Sequence, residues 1–168
     1  LNASVLGPDA QVETPEFDLF VKEVQREMTT KAGQKCTAIR RILVPQGTSN
    51  AVIEALDKRL ANITLGDPRE EGTKMGALVS NAQKNDVLEK IAQISSEATR
   101  VIGDPENHAM TKSKGAYLPP IVFRCDDPDS AQHVHDTEAF GPVSTIMEYR
   151  DLGHATELLN NGKGSLVA

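Results

Sequence analysis

Residues 14–45 carry the pattern that decides the fold, and they read TPEFDLFVKEVQREMTTKAGQKCTAIRRILVP. A threonine suited to a helix N-cap and a proline suited to the first helical position precede apolar residues at helical spacing. These signals predict a helix over Thr14–Ala32, which Gly33 would stop. The apolar run Ile39–Pro45 then predicts a short strand that ends at a proline.

The same alternation of helix and strand continues along the chain. Further helices are predicted over residues 49–62, from residue 80 onward and over 154–159, and strands over 100–103, 117–124 and 144–149. Ser80 and Gln83 fit a capping box at the start of their helix. Because Pro119 and Pro120 interrupt the 117–124 strand, we expect an edge strand or a bent one there. This order of elements predicts an α/β fold in one compact unit, residues 1–168.

The composition excludes several classes of protein. The chain has 168 residues, of which 39% are hydrophobic and 25% charged, as in ordinary globular domains. A net charge of -6 argues against nucleic-acid binding, and the sequence has no apolar run long enough for a membrane-spanning helix. Two cysteines are too few for a disulfide framework, so a reducing compartment such as the cytoplasm is expected. The glycosylation sequons at Asn2 and Asn62 are interpreted as chance matches.

The two ends of the chain lack the polar, frayed residues that usually close a domain. Leu1–Leu6 resembles the middle of an apolar segment, and Ser165–Ala168 resembles the start of another. We therefore expect the chain to be a piece of a longer protein.

Cys36 is the main candidate for chemistry. It follows Lys35 and precedes Arg40 and Arg41, on a loop between the first helix and the first long strand. Positive charges nearby would lower the pKa of the thiol and increase the thiolate fraction, as a nucleophile requires. A buried structural thiol is the other interpretation, and the spacing alone leaves both open.

Three other motifs are weaker. The acids that follow Cys125 oppose thiolate formation, so a structural role is favoured for that thiol. The pair in His133-Val134-His135 could share one strand face as metal ligands need, but solvated loop histidines are favoured and no metal is expected. Residues 161–165 do not match a phosphate loop, and the chain contains no dinucleotide-binding glycine fingerprint.

The segment Glu138-Ala139-Phe140-Gly141-Pro142-Val143 is unusual for a neutral connector. An acid, an aromatic ring and a Gly-Pro break before a strand would suit a loop packed near a ligand. A tight entry into the strand, with Phe140 in the core, explains the same residues and is favoured when the segment is taken alone.

Taken together, the Cys36 and Glu138 segments resemble two motifs of the aldehyde dehydrogenase superfamily. Gly33-Gln34-Lys35-Cys36-Thr37-Ala38, followed by Arg40 or Arg41, is similar to its cysteine motif, and Glu138–Val143 is similar to its E-x-F-G-P segment. Residues 66–68, 76–79, 117–120 and 158–166 follow in family order. The resemblance implies a three-layer α/β/α catalytic domain with a mostly parallel sheet.

The resemblance also implies roles for individual residues. Cys36 would attack an aldehyde to give a thiohemiacetal and then a thioester, and its own backbone N–H would form part of an oxyanion hole. Glu138 would bind the ribose hydroxyls of NAD or NADP, with Phe140 lining the cofactor. Gln83 would either approach the cofactor or only cap its helix.

Residues 28–42 are similar to the dehydrogenase part of bifunctional ring-opening enzymes of phenylacetate degradation, which implies a CoA-linked semialdehyde as substrate. The family's general base and cofactor domain would precede residue 1, so the chain alone is expected to be inactive. The resemblance also implies a homo-oligomeric parent. A CoA-acylating relative and a non-catalytic interaction domain remain alternatives.

Overall fold

Five strands form one mixed sheet in the computed structural model, which describes residues 1–168 apart from the side chain of Lys112. The strands are β1 Ala3–Val5, β2 Arg41–Pro45, β3 Thr99–Ile102, β4 Ile121–Cys125 and β5 Val143–Tyr149, in the spatial order β1-β2-β5-β4-β3. The helices are α1 Pro15–Thr29, α2 Ser49–Leu60, α3 Asn81–Ile94, α4 His133–Asp136 and α5 Leu152–Asn160, with short 3₁₀ segments at Thr30–Gly33 and Ala109–Lys112. No helix in this described part has the length and apolar content to cross a bilayer.

The sheet is parallel except at β3, which pairs antiparallel with β4. Alternate side chains of its strands point to opposite faces. Ile42, Val122 and Ile146 pack with α1 and α2 on one face, whereas Leu43 and Met147 pack with α3, α4 and α5 on the other. The predicted three-layer α/β/α fold with a mostly parallel sheet is therefore confirmed.

Helix α1 begins where the sequence predicts and ends earlier. The hydroxyl of Thr14 accepts a hydrogen bond from the Phe17 N–H at 3.3 Å, which makes Thr14 the N-cap. The helix ends at Thr29, three residues before the predicted end, because Lys31 and Ala32 take the left-handed conformation with φ of 53°.

The prediction that the strand near the two prolines lies at the edge of the sheet is wrong. Strand β4 lies inside the sheet, between β3 and β5. It tolerates Pro119-Pro120 because both prolines precede its first residue, Ile121, whose N–H donates to the carbonyl of Pro142 at 2.8 Å. The residues that cannot donate therefore lie outside the ladder.

Arg41 joins three parts of the fold from inside the core. Its side chain is fully buried, and its guanidinium donates to the carbonyls of Leu158 (2.5 Å), Leu159 (3.1 Å) and Leu1 (2.9 Å). Leu158 and Leu159 lie in the last turn of helix α5, where backbone carbonyls lack partners within the helix. A cation at this position also interacts favourably with the helix dipole. Burial lowers the pKa of Arg41 to about 10, so the side chain is still charged at neutral pH.

Replacing Arg41 with Met should destabilise the protein strongly, because it removes a buried charged donor that bonds three backbone carbonyls. We expect the free energy of unfolding to fall by about 3 kcal/mol or more, measured by urea denaturation at an unchanged m-value. The control is Arg26→Met, whose side chain is 63% exposed and should change stability by no more than about 0.5 kcal/mol. Equal losses for the two variants would contradict the assigned role of Arg41.

Candidate active site at the amino ends of the parallel strands

The structure brings Cys36, Glu138 and Phe140 together on one cavity of about 230 Å³. The wall is completed by Leu1, Asn2, Gly164, Ser165 and Leu166. Three of the four contributing segments precede β1, β2 and β5, so the cavity lies at the amino ends of neighbouring parallel strands. Open α/β sheets usually bind ligands at the opposite, carboxyl ends, and topology alone would have misplaced this site.

The cysteine loop begins with three successive left-handed residues, Lys31, Ala32 and Gly33, with φ of 53°, 53° and 69°. For the two residues that carry a Cβ, this conformation costs roughly 1–2 kcal/mol each. Glycine is required at position 33 for a second reason, since a Cβ there would lie 2.2 Å from the carbonyl oxygen of Gly141. The loop that holds Cys36 thus touches the Glu138 loop backbone to backbone.

Cys36 is exposed, and its backbone carbonyl is held by a neighbour. The Nδ2 of Asn2 donates to the carbonyl oxygen of Cys36 at 2.7 Å and to that of Ala38 at 3.1 Å. Among the hydrogen bonds of the described residues, none uses the N–H of Cys36. That N–H is therefore available to stabilise negative charge that develops next to the thiol.

Asn2 is a site residue that the sequence analysis missed. It is buried, and its Oδ1 accepts from the Leu166 N–H at 3.0 Å, which fastens the last segment of the cavity wall. The only sequence signal at this position was a glycosylation sequon. The buried amide is bonded through both its nitrogen and its oxygen, which favours the interpretation of that sequon as a chance match.

The positive charges near Cys36 in sequence have other partners in space. The ammonium of Lys35 lies 2.8 Å from the Glu27 carboxylate, and Arg40 donates to the carbonyls of Gly33 (2.7 Å) and Gly141 (2.6 Å). In the part of the chain that the structure describes, no cation hydrogen-bonds the thiol. The cations predicted to surround the Cys36 thiol therefore do not contact it directly. What sets this thiol apart from Cys125 is its exposed position on a loop with a free backbone N–H.

The Glu138 loop is held from two sides. The carboxylate of Glu138, 47% exposed, has its Oε1 3.5 Å from the Nε of Arg40, and the guanidinium carbon lies 5.3 Å from the centre of the Phe140 ring. From the other side, Gln83 donates its Nε2 to the carbonyl of Phe140 at 3.1 Å. The loop is therefore packed beside a cavity, as the ligand-loop interpretation expects.

The capping box predicted at Ser80 is only half formed. The backbone N–H of Gln83 donates to the Ser80 hydroxyl at 3.0 Å, which confirms the N-cap. The side chain of Gln83 does not return to Ser80 because it reaches the Phe140 carbonyl instead.

Cys125 and the histidine pair do not contribute to the cavity. Cys125 is buried in the core, and burial raises the pKa of its thiol to about 11, which confirms the structural role. The favoured interpretation of solvated loop histidines is wrong, because both lie on the short helix α4 and His135 is buried. The alternative of a shared strand face does not hold either, since His133 bonds Thr137 and His135 bonds Pro128. No group of three or more acids, histidines or cysteines suited to a metal ion is found among the described residues.

The family model described as "Aldehyde dehydrogenase family" matches residues 7–168. Along its full length the chain is 47% identical to the 3,4-dehydroadipyl-CoA semialdehyde dehydrogenase of Aromatoleum evansii, of which it covers 33%. It thus spans about a third of the length of this relative.

Solved structures with the same fold hold a dinucleotide. Betaine aldehyde dehydrogenase from Staphylococcus aureus, in complex with NAD+, superposes with a TM-score of 0.82 at 28% identity over 95% of this chain and 30% of its own. The 1-pyrroline-5-carboxylate dehydrogenase from Thermus, with bound NAD, gives 0.75 at 32% identity over 88% of this chain and 27% of its own.

Replacing Gly33 with Ala should unfold the cysteine loop. We expect the unfolding free energy to fall by about 3 kcal/mol or more for two reasons. The new methyl group clashes with the Gly141 carbonyl, and alanine is strained at the positive φ of this position. Gly47→Ala is the matched control, since its φ of 83° is similar and no atom lies within 4 Å of the added Cβ. Its cost should stay near 1–2 kcal/mol, and urea denaturation that gives the same cost for both would disprove the close contact.

The two thiols should differ in their reaction with iodoacetamide. Only the thiolate reacts, and a pKa of about 11 keeps Cys125 protonated from neutral pH to about pH 9, whereas Cys36 is exposed. Peptide mass spectrometry of the folded, full-length protein should find Cys36 modified first, and Cys125 modified at a useful rate only as the pH approaches 11. Equal labelling of both thiols at neutral pH would contradict this assignment.

Proposed function

The chain belongs to the aldehyde dehydrogenase family, and we propose on that premise that residues 1–168 form the cysteine-bearing catalytic domain of an NAD-dependent aldehyde dehydrogenase. This proposal rests on the cavity that Cys36 and Glu138 share. The two residues lie on different loops, one before β2 and one before β5. Because the chain spans about a third of its relative's length, the cofactor domain and the general base are assigned to other parts of the complete enzyme.

Cys36 is proposed as the nucleophile. Its thiolate attacks the aldehyde carbon, and the resulting oxyanion of the thiohemiacetal accepts a hydrogen bond from the N–H of the same residue. The free N–H and the exposed thiol of Cys36 support this arrangement. After oxidation the acyl group is held on Cys36 as a thioester, and hydrolysis releases the carboxylic acid.

Glu138 and Phe140 are proposed as the cofactor-binding residues. The exposed carboxylate of Glu138 can accept hydrogen bonds from a pair of ribose hydroxyls, and the half-buried ring of Phe140 offers an apolar surface beside it. The chemistry that a bound nicotinamide supplies is acceptance of the hydride from the thiohemiacetal carbon. The NAD+ bound in two structural relatives makes NAD+ the proposed cofactor, with NADP+ as the comparison.

The proposed substrate is a CoA-linked semialdehyde. The support is the 47% identity to 3,4-dehydroadipyl-CoA semialdehyde dehydrogenase, which extends along the whole chain. Both cysteines are free thiols, which fits a reducing compartment, and the cytoplasm is the proposed location.

Replacing Cys36 with Ala in the full-length enzyme should abolish oxidation of the CoA-linked semialdehyde. We expect the rate of NADH formation to fall by a factor of about 10³ or more, because no other group can hold the acyl intermediate. Cys125→Ala is the control, and since this thiol is remote from the cavity its kcat should stay within about threefold. Turnover that survives in the Cys36 variant would refute the proposed mechanism.

A further inference from the structure

Arg40 bridges the two loops that form the cavity. Its side chain is only 5% exposed, and its two terminal nitrogens donate to the carbonyls of Gly141 and Gly33 at 2.6 and 2.7 Å. The planar guanidinium is suited to this bridge because its donors diverge at fixed angles. Lysine, with one compact ammonium group, could not reach both carbonyls and the Glu138 carboxylate together.

The third nitrogen of the same group faces the Glu138 carboxylate. The Nε of Arg40 is buried and has no hydrogen-bond partner, but it lies 3.5 Å from Oε1 of Glu138. Within the described residues, no hydrogen-bond donor uses that carboxylate. The guanidinium therefore holds the carboxylate by charge and leaves its lone pairs free for an incoming hydroxyl pair.

The same guanidinium also fixes the aromatic side of the site. Its central carbon lies 5.3 Å from the centre of the Phe140 ring, within the range of a cation–π contact. Thus one buried cation contacts the acid and the ring, and it also bonds the two backbone carbonyls that set how the loops approach each other.

We propose that Arg40 is a positioning residue for the cofactor: it holds the Glu138 carboxylate and the Phe140 ring in place without touching the cofactor itself. This inference rests on the proposed function, in which Glu138 binds the ribose. A solely structural role would need only the two carbonyl bonds and would leave the affinity of the folded enzyme for NAD+ unchanged.

The test measures NAD+ binding by calorimetric titration in four full-length proteins: the wild type, Arg40→Lys, Glu138→Gln and the double variant. Arg40→Lys keeps the buried charge, so it is expected to fold while losing the geometry. We expect its Kd for NAD+ to rise about tenfold, with a smaller fall in kcat at saturating NAD+. The double variant should bind no more weakly than the weaker single variant, because both changes remove one interaction.

Arg124→Lys is the control, because this arginine lies on β4, contacts Asn50 and Asp126, and does not line the cavity. It should leave the Kd for NAD+ of the folded protein unchanged. An unchanged Kd in Arg40→Lys, or losses that multiply in the double variant, would overturn the positioning role. If Glu138→Gln alone leaves the Kd unchanged, the proposed function of Glu138 fails, and the role of Arg40 fails with it.

Discussion

The close approach of two loop backbones, at Gly33 and Gly141, is the constraint on which the rest of the site depends. No Cβ fits between them, and the buried guanidinium of Arg40 bonds one carbonyl on each side. This contact sets the distance between the cysteine loop and the Glu138 loop. A cavity with a thiol and a carboxylate on one wall follows from it, although no direct bond joins those two residues.

The remaining walls are held by buried polar side chains that bond the backbone. Asn2 links the Cys36 peptide to the Leu166 segment, while Arg41 ties the end of α5 to the start of the chain. These segments lie close together because β1, β2 and β5 are parallel neighbours, so the residues that precede them lie at the same end of the sheet. The site is thus built at the amino ends of the strands, and buried side chains that bond the backbone hold its walls.

Local patterns predicted the parts of the fold that local physics controls. The Thr14 cap, the helical spacing that follows it and the strand before Pro45 needed no knowledge of the remaining chain. Partners distant in sequence could not be predicted in this way. The cations beside Cys36 in sequence were expected to activate it, yet Arg40 turns to backbone carbonyls because a buried charge must find acceptors. Asn2 carried no signal of its role, since its partners are known only once the sheet is formed.

The central claim is that Cys36 forms a covalent acyl intermediate in the cavity it shares with Glu138. The most direct test is acid quenching of the full-length enzyme during turnover of the CoA-linked semialdehyde with NAD+, followed by peptide mass spectrometry. The account predicts a thioester adduct on the peptide that contains Cys36 and none on the peptide that contains Cys125. Continued turnover with the Cys36 thiol unmodified, or an adduct on Cys125 instead, would contradict it.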